Sequence, residues 1–220
     1  MVGTAGGRNP HGARGVVETD RLRAAPFGFL TNTSCSDRTL DRVERRVEAL
    51  WRSHGRRVAL IGHSRGGHFA RAPAARRPDR VPRAVSMGTD LQGRCGASAP
   101  TLFAVGVARR VVHVSGRGRM ASCLSRHCDC PFSHDFARPF PHDQVRLTSI
   151  YSKGDGVVHW QRQVIPHAEC VEVTGSHVGL IFNRKVHRAI AEALALPEFR
   201  PLRGENPDVE RRVTQRERSA

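Results

Sequence analysis

Three side chains at separate points of the chain have the types needed for nucleophilic acyl chemistry: Ser64, Asp155 and His177. A serine hydroxyl is a weak nucleophile at neutral pH. It needs a base to take its proton, and the base needs an acid to orient it. Ser64 stands in Gly62-His63-Ser64-Arg65-Gly66, a G-x-S-x-G pattern in which a strand turns sharply into a helix and lifts the serine onto the tip. Gly62 and Gly66 are expected where neighbouring backbone approaches closely around a strained turn. Each residue also has a plainer reading. The glycines could frame an ordinary turn with an idle serine, Asp155 in Gly-Asp-Gly could be a turn residue, and His177 could be a solvated loop histidine.

The elements around these residues favour the chemical reading. An apolar run, Val58–Ile61, leads into the serine turn, and a helix is predicted after it, running to the Pro73–Pro78 region. Val81–Met87 reads as the next strand, so strand, helix and strand follow closely and imply a parallel crossover. Val145–Tyr151 alternates as a strand and runs into the Asp155 loop. A further strand, Cys170–Val173, runs into the His177 loop. All three residues therefore fall beyond C-terminal strand ends, the rim where open α/β sheets build their sites. Asp90, after the intervening strand, is the second candidate for the acid. Asp37–His54 is the clearest helix, with Leu40, Val43, Val47, Leu50 and Trp51 on one face and Gly55 at its end. An amphipathic helix bearing Val186, Ile190 and Leu194 closes the ordered pattern before Pro197.

Length and composition restrict the partners. A chain of 220 residues suits one domain with a sizeable core, and no apolar run approaches a membrane span. The first residues lack the apolar stretch of a secretory signal, which makes a cytoplasmic location the default and a secreted one the alternative if the true N-terminus differs. The net charge of +16 comes almost wholly from arginine, because lysine occurs only at 153 and 185. These arginines are interleaved with Asp and Glu along the chain and accompany no nucleic-acid motif. Adhesion to polyanions is expected, and a specific nucleic-acid partner is not. Residues 198–220 read as a solvated, disordered tail.

Together, GHSRGG, TSIYSKGDGVVHW and VEVTGSHVGL resemble the α/β-hydrolase fold esterases and lipases of bacteria, most closely an actinobacterial group. The resemblance runs from about Thr39 to Pro197. It implies an α/β-hydrolase-like fold, a mostly parallel sheet with helices on both faces and an inserted lid-like segment. It also implies Ser64 as nucleophile, His177 as general base, Asp155 as its acid and the backbone N–H of Arg65 as one oxyanion donor. The reaction would be hydrolysis of a small-molecule or lipid acyl ester through an acyl-enzyme, without metal or organic cofactor. A thioesterase or acyltransferase would use the same triad, and a truncated relic that only binds polyanions is the non-enzymatic alternative.

The domain boundaries follow: an irregular segment 1–36, a hydrolase domain 37–197 with an insertion at about 92–145, and the tail. Such proteins normally begin with a strand and a Gly-containing loop that gives the second oxyanion N–H. No convincing apolar strand is visible here, and neither Gly6-Gly7 nor Gly28 has the right flanks, so the chain reads as short at its N-terminus. Within the insertion, Phe103, Val105, Val107, Val111 and Val112 would suit an apolar acyl site or a buried patch. Cys123, Cys128 and Cys130, with His127 and His134, have metal-like types, but C-x4-C-x-C is not a zinc spacing. The group resembles a Cys-containing segment in the insertion of related hydrolases, which implies a local disulfide; free thiols or a metal are the other readings. His63 and Arg65 read as packing and rim residues. His68 fits either core or site.

Overall fold

A computed structural model describes residues 2–4, 35–93, 98–115 and 131–196. Its centre is a five-stranded sheet in the order β1-β2-β3-β4-β5: β1 (Val2–Thr4), β2 (Val58–His63), β3 (Arg83–Met87), β4 (Arg146–Tyr151) and β5 (Glu169–Glu172). β2 to β5 are parallel, and only β1 runs antiparallel, with Val2 opposite Leu60. The expected mostly parallel α/β sheet is therefore present. In the segment where no convincing apolar strand is visible in sequence, Val2–Thr4 pairs along β2. Three residues are too few to display an alternation, and pairing defines this strand where apolar character does not.

Successive strand residues point to opposite faces, and each face has its own core. Leu60, Ala84 and Leu147 pack with Leu40, Val43 and Val47 of α1 (Ser36–His54) and with Phe69, Ala70 and Ala74 of α2 (Arg65–Arg76). Val85, Met87 and Ile150 pack on the other side with Val186, Ala189 and Ala193 of α5 (Arg184–Ala195). Helices thus cover both faces.

Local chemistry sets the helix ends. Gly55 adopts a left-handed conformation, φ 63°, and returns its N–H to the Trp51 carbonyl at 2.8 Å, closing α1. Asn183 caps α5 by accepting the Lys185 N–H at 2.8 Å. At the opposite end, Arg83 of β3, 3% exposed, donates to the Leu194 and Leu196 carbonyls. A guanidinium there both satisfies the terminal carbonyls and offsets the negative end of the helix dipole.

The stretch from 92 to 145 contains α3 (Ala99–Val114) and α4 (Pro131–Ala137). In α4, Phe132 and Phe136 are buried in the first core, so this part of the stretch belongs to the domain's packing. Of the proposed acyl wall, Phe103, Val107 and Val111 of α3 are exposed; the side chains of Val105 and Val112 lie outside the described set. Also outside it are Gly6-Gly7, Gly28, Cys123, His127, Cys128, Cys130 and the 198–220 tail, whereas His134 is exposed on α4.

Candidate active site

Parallel strands bring their C-terminal ends to one rim. Ser64 follows β2 directly, Gly88, Thr89 and Asp90 follow β3, Asp155 lies in the loop after β4, and His177 lies in the loop after β5.

Ser64 has φ 55° and ψ −127°, backbone angles that L-residues rarely adopt. Holding a non-glycine residue there costs on the order of 1–3 kcal/mol and requires support from its surroundings. That support comes from β3 and its loop. The Ser64 N–H donates to the Met87 carbonyl at 2.7 Å, and the Thr89 hydroxyl donates to the Ser64 carbonyl at 2.8 Å.

The two pattern glycines are not equivalent. A Cβ on Gly62 would stand 2.1 Å from the Gly66 carbonyl oxygen, so only glycine fits. A Cβ on Gly66 would meet nothing within 4 Å. The close approach expected at Gly66 occurs instead at Gly67, where a Cβ would lie 2.1 Å from the Thr89 hydroxyl. Gly67 lets α2 sit against the end of β3.

Asp155 and His177 form a direct pair. His177 Nδ1 lies 2.8 Å from Asp155 Oδ2, the carboxylate side chain is fully screened from solvent, and that of His177 is 9% exposed. The other carboxylate oxygen accepts the N–H groups of Val157 at 2.8 Å and Val158 at 2.9 Å. Burial pushes the Asp155 carboxyl up, but the bonds from His177, Val158 and Val157 more than offset this, leaving its pKa below the ordinary value. The acid is thus held as a carboxylate facing the imidazole. Ser152 joins the two loops: its hydroxyl donates to the Gly175 carbonyl at 2.6 Å and accepts the Gly154 N–H.

Gly88 completes the enclosure. Its φ is +58°, and a Cβ there would stand 3.1 Å from both Asp155 Oδ2 and His177 Nδ1. It links the Ser64 side of the rim to the pair, because Ser64 bonds to the neighbouring Met87.

Asp90 is occupied elsewhere. Its carboxylate accepts Arg162 Nε at 3.0 Å and the Gln92 N–H at 3.1 Å, while its carbonyl accepts from His68 Nε2 at 2.7 Å. His68 is buried edge-on against Phe136, and burial lowers its pKa to about 4. It is a neutral core residue. Arg65 opens α2 and donates through its guanidinium to Ser36 Oγ at 2.9 Å.

Two contributors belong to no catalytic motif. Gln163, fully buried, donates its side-chain N–H to Asp155 Oδ2 at 3.1 Å and to the Val158 carbonyl at 3.0 Å. His63 donates Nε2–H to the His177 carbonyl at 2.9 Å. A turn glutamine belongs to no motif. The position of His63 beside the serine was the only hint available.

No protein-family model matches the chain, and no curated protein does. Solved structures are similar to it in fold. The mature lipase BlEst2 of Bacillus licheniformis aligns over 71% of this chain and 73% of its own, with 13% identity and a TM-score of 0.49. A carboxylesterase structure from Nitrososphaera gargenis aligns over 74% and 72%, at 18% identity and a TM-score of 0.47. An alpha/beta superfamily hydrolase from Oenococcus oeni aligns over 76% and 77%, at 18% identity and a TM-score of 0.45. The likeness is one of fold alone, and the chemistry of the site rests on its own residues. No described helix is long and apolar enough to cross a membrane.

Proposed function

We propose that the chain is a serine hydrolase of carboxylic esters, working through an acyl-enzyme on Ser64. The observation that carries this reading is the screened 2.8 Å bond from His177 to Asp155, on the rim where Ser64 holds its strained turn. A buried carboxylate bonded to Nδ1 leaves Nε2 of the imidazole as the basic nitrogen, the arrangement a hydroxyl nucleophile requires.

In this mechanism His177 Nε2 takes the Ser64 hydroxyl proton as Oγ adds to the ester carbonyl carbon. The resulting oxyanion is met by the backbone N–H of Arg65 at the start of α2, where the helix dipole favours negative charge. Collapse breaks the bond to the alcohol oxygen, which receives the proton from His177. Water then adds to the acyl-enzyme with its proton passing to His177, and a carboxylic acid leaves as Ser64 recovers the proton. Asp155 stays ionised throughout and stabilises the imidazolium.

The test is labelling of the folded protein by a fluorophosphonate together with hydrolysis of short p-nitrophenyl esters. Labelling at Ser64 and turnover lost in Ser64→Ala are expected. Absence of label on folded wild-type protein overturns the assignment.

A further inference from the structure

Just beyond His177, the 3-10 turn Val178–Phe182 buries Leu180 completely but leaves Val178 61%, Ile181 42% and Phe182 77% exposed. These side chains are displayed by ordered backbone. The Leu180 N–H bonds to the Ser176 carbonyl at 3.0 Å, His187 Nε2 donates to the Ile181 carbonyl at 2.8 Å, and the Asn183 amide donates to the Thr174 carbonyl at 2.6 Å. Three large apolar side chains held in water together, next to a polar rim, mark an interaction surface.

The residues that follow define its charge. Arg184, Lys185 and Arg188 are exposed on the first turns of α5, while Val186 and Ala189 face the core. The only acidic partner that α5 offers them is Glu192, 2.9 Å from Arg188 in a solvent-exposed pair of little energetic weight. Apolar side chains that can enter an acyl layer, beside cations that can meet headgroup phosphates, are the two signals that together give stable attachment to an anionic bilayer. The +16 charge of the whole chain favours approach to such a surface from a distance.

We propose that Val178, Ile181 and Phe182, with Arg184, Lys185 and Arg188, form a docking surface for anionic phospholipid bilayers. Because it begins one residue after the proposed base, this deepens the ester-hydrolase reading by directing the site toward acyl esters held at a membrane. Binding is measured without turnover, so the two readings fail separately.

The experiment is co-sedimentation of the full chain with vesicles of ether-linked lipids, which contain no ester to cleave. One set is phosphatidylcholine alone, and the other contains phosphatidylglycerol. Binding to the second set is expected, with affinity falling about tenfold or more in Val178→Ser/Ile181→Ser/Phe182→Ser and in Arg184→Gln/Lys185→Gln/Arg188→Gln. Arg42→Gln/Arg45→Gln/Arg46→Gln, which removes the same charge from exposed positions of α1, should stay within about twofold of wild type. If the α1 variant weakens binding as much as the α5 variant, general polyanion adhesion explains the result and the proposal falls. It falls equally if the apolar variant binds as wild type, or if that variant only dissociates a dimer in sedimentation without lipid. Phe182→Trp gives a further readout: relative to wild type, its emission should shift to the blue on phosphatidylglycerol vesicles, and no shift overturns the insertion of this residue.

Discussion

His63 and His177 are joined across 114 residues of sequence by one hydrogen bond: His63 Nε2 donates to the His177 carbonyl at 2.9 Å, with ring centroids 4.6 Å apart. His63 is the last residue of the strand that leads into Ser64. The strand carrying the proposed nucleophile therefore holds the loop carrying the proposed base. Burial lowers the pKa of His63, and the hydrogen bond to the His177 carbonyl, which raises it, only partly offsets this, so it is a neutral donor at pH 7. Loss of a neutral hydrogen bond of this kind corresponds to about tenfold. His63→Phe should lower kcat about that much with KM little changed, and His63→Gln, which keeps a donor, should recover part of it. Equal activity in wild type and His63→Phe would remove this positioning role.

The two buried aspartates on the rim predict opposite kinetic outcomes. Asp155→Asn should reduce kcat by several orders of magnitude, because the Asn amide gives His177 the wrong tautomer. Asp90→Asn should leave kcat within about threefold and lower stability by roughly 1–2 kcal/mol, a modest cost because Arg162 is 39% exposed and partly screened. Ester-hydrolysis kinetics and urea midpoints on the two variants check this. A collapse of kcat in Asp90→Asn with intact folding would reverse the assignment.

Gln163→Leu removes the side-chain amide that meets Asp155 Oδ2 and the Val158 carbonyl, and also a buried side-chain oxygen that has no partner among the described residues. The first loss weakens the acid's support, while the second relieves an unsatisfied polar group. The expected result is a fall in kcat of about tenfold with little change in melting temperature. A large loss of stability with unchanged kcat would show that Gln163 serves only packing.

Acid sensitivity should trace to His68. Its folded pKa of about 4 lies below the unfolded value, so between about pH 6.5 and 4 the unfolded chain binds a proton that the folded one does not. Stability is therefore lost as pH falls through that window, by on the order of 3 kcal/mol for this group. Asp155, whose pKa is also lowered, contributes its loss at more acid pH, below the ordinary carboxylate value. Urea unfolding at pH 7 and pH 4.5 should show a smaller difference in His68→Gln than in wild type.

The glycines around the serine separate by geometry. Gly66→Ala should be neutral or stabilising by roughly 0.5–1 kcal/mol, since the new methyl enters open space within a helix. Gly62→Ala and Gly67→Ala must displace backbone or the Thr89 side chain and should cost several times that. Thermal melts of the three variants give the ranking directly.

The parts of the site legible in sequence were those made by contiguous residues. An apolar run ending in Gly-His-Ser-Arg-Gly specifies a strand and a turn within a few positions. Asp155 and His177 stand out because each follows its own strand. Gly67 was hidden because its need for no side chain comes from Thr89, which reaches it only once β3 lies against α2. The same holds for Gln163 and Asp90, whose roles are assigned by the loops that fold over them. The edge strand Val2–Thr4 was invisible for a different reason: backbone pairing creates it.

Gly88 also limits what changes the site can accept. Its missing side chain leaves room beside the bonded carboxylate and imidazole, so a methyl group at this position would press on both at 3.1 Å and force one of them to shift by a few tenths of an ångström. The positive φ at this position adds strain to the turn between Met87 and Thr89, the two residues that bond to the Ser64 backbone. Under the proposed mechanism, a substitution at position 88 would therefore disturb the pairing of base and acid while leaving the exposed surface behind His177 in place.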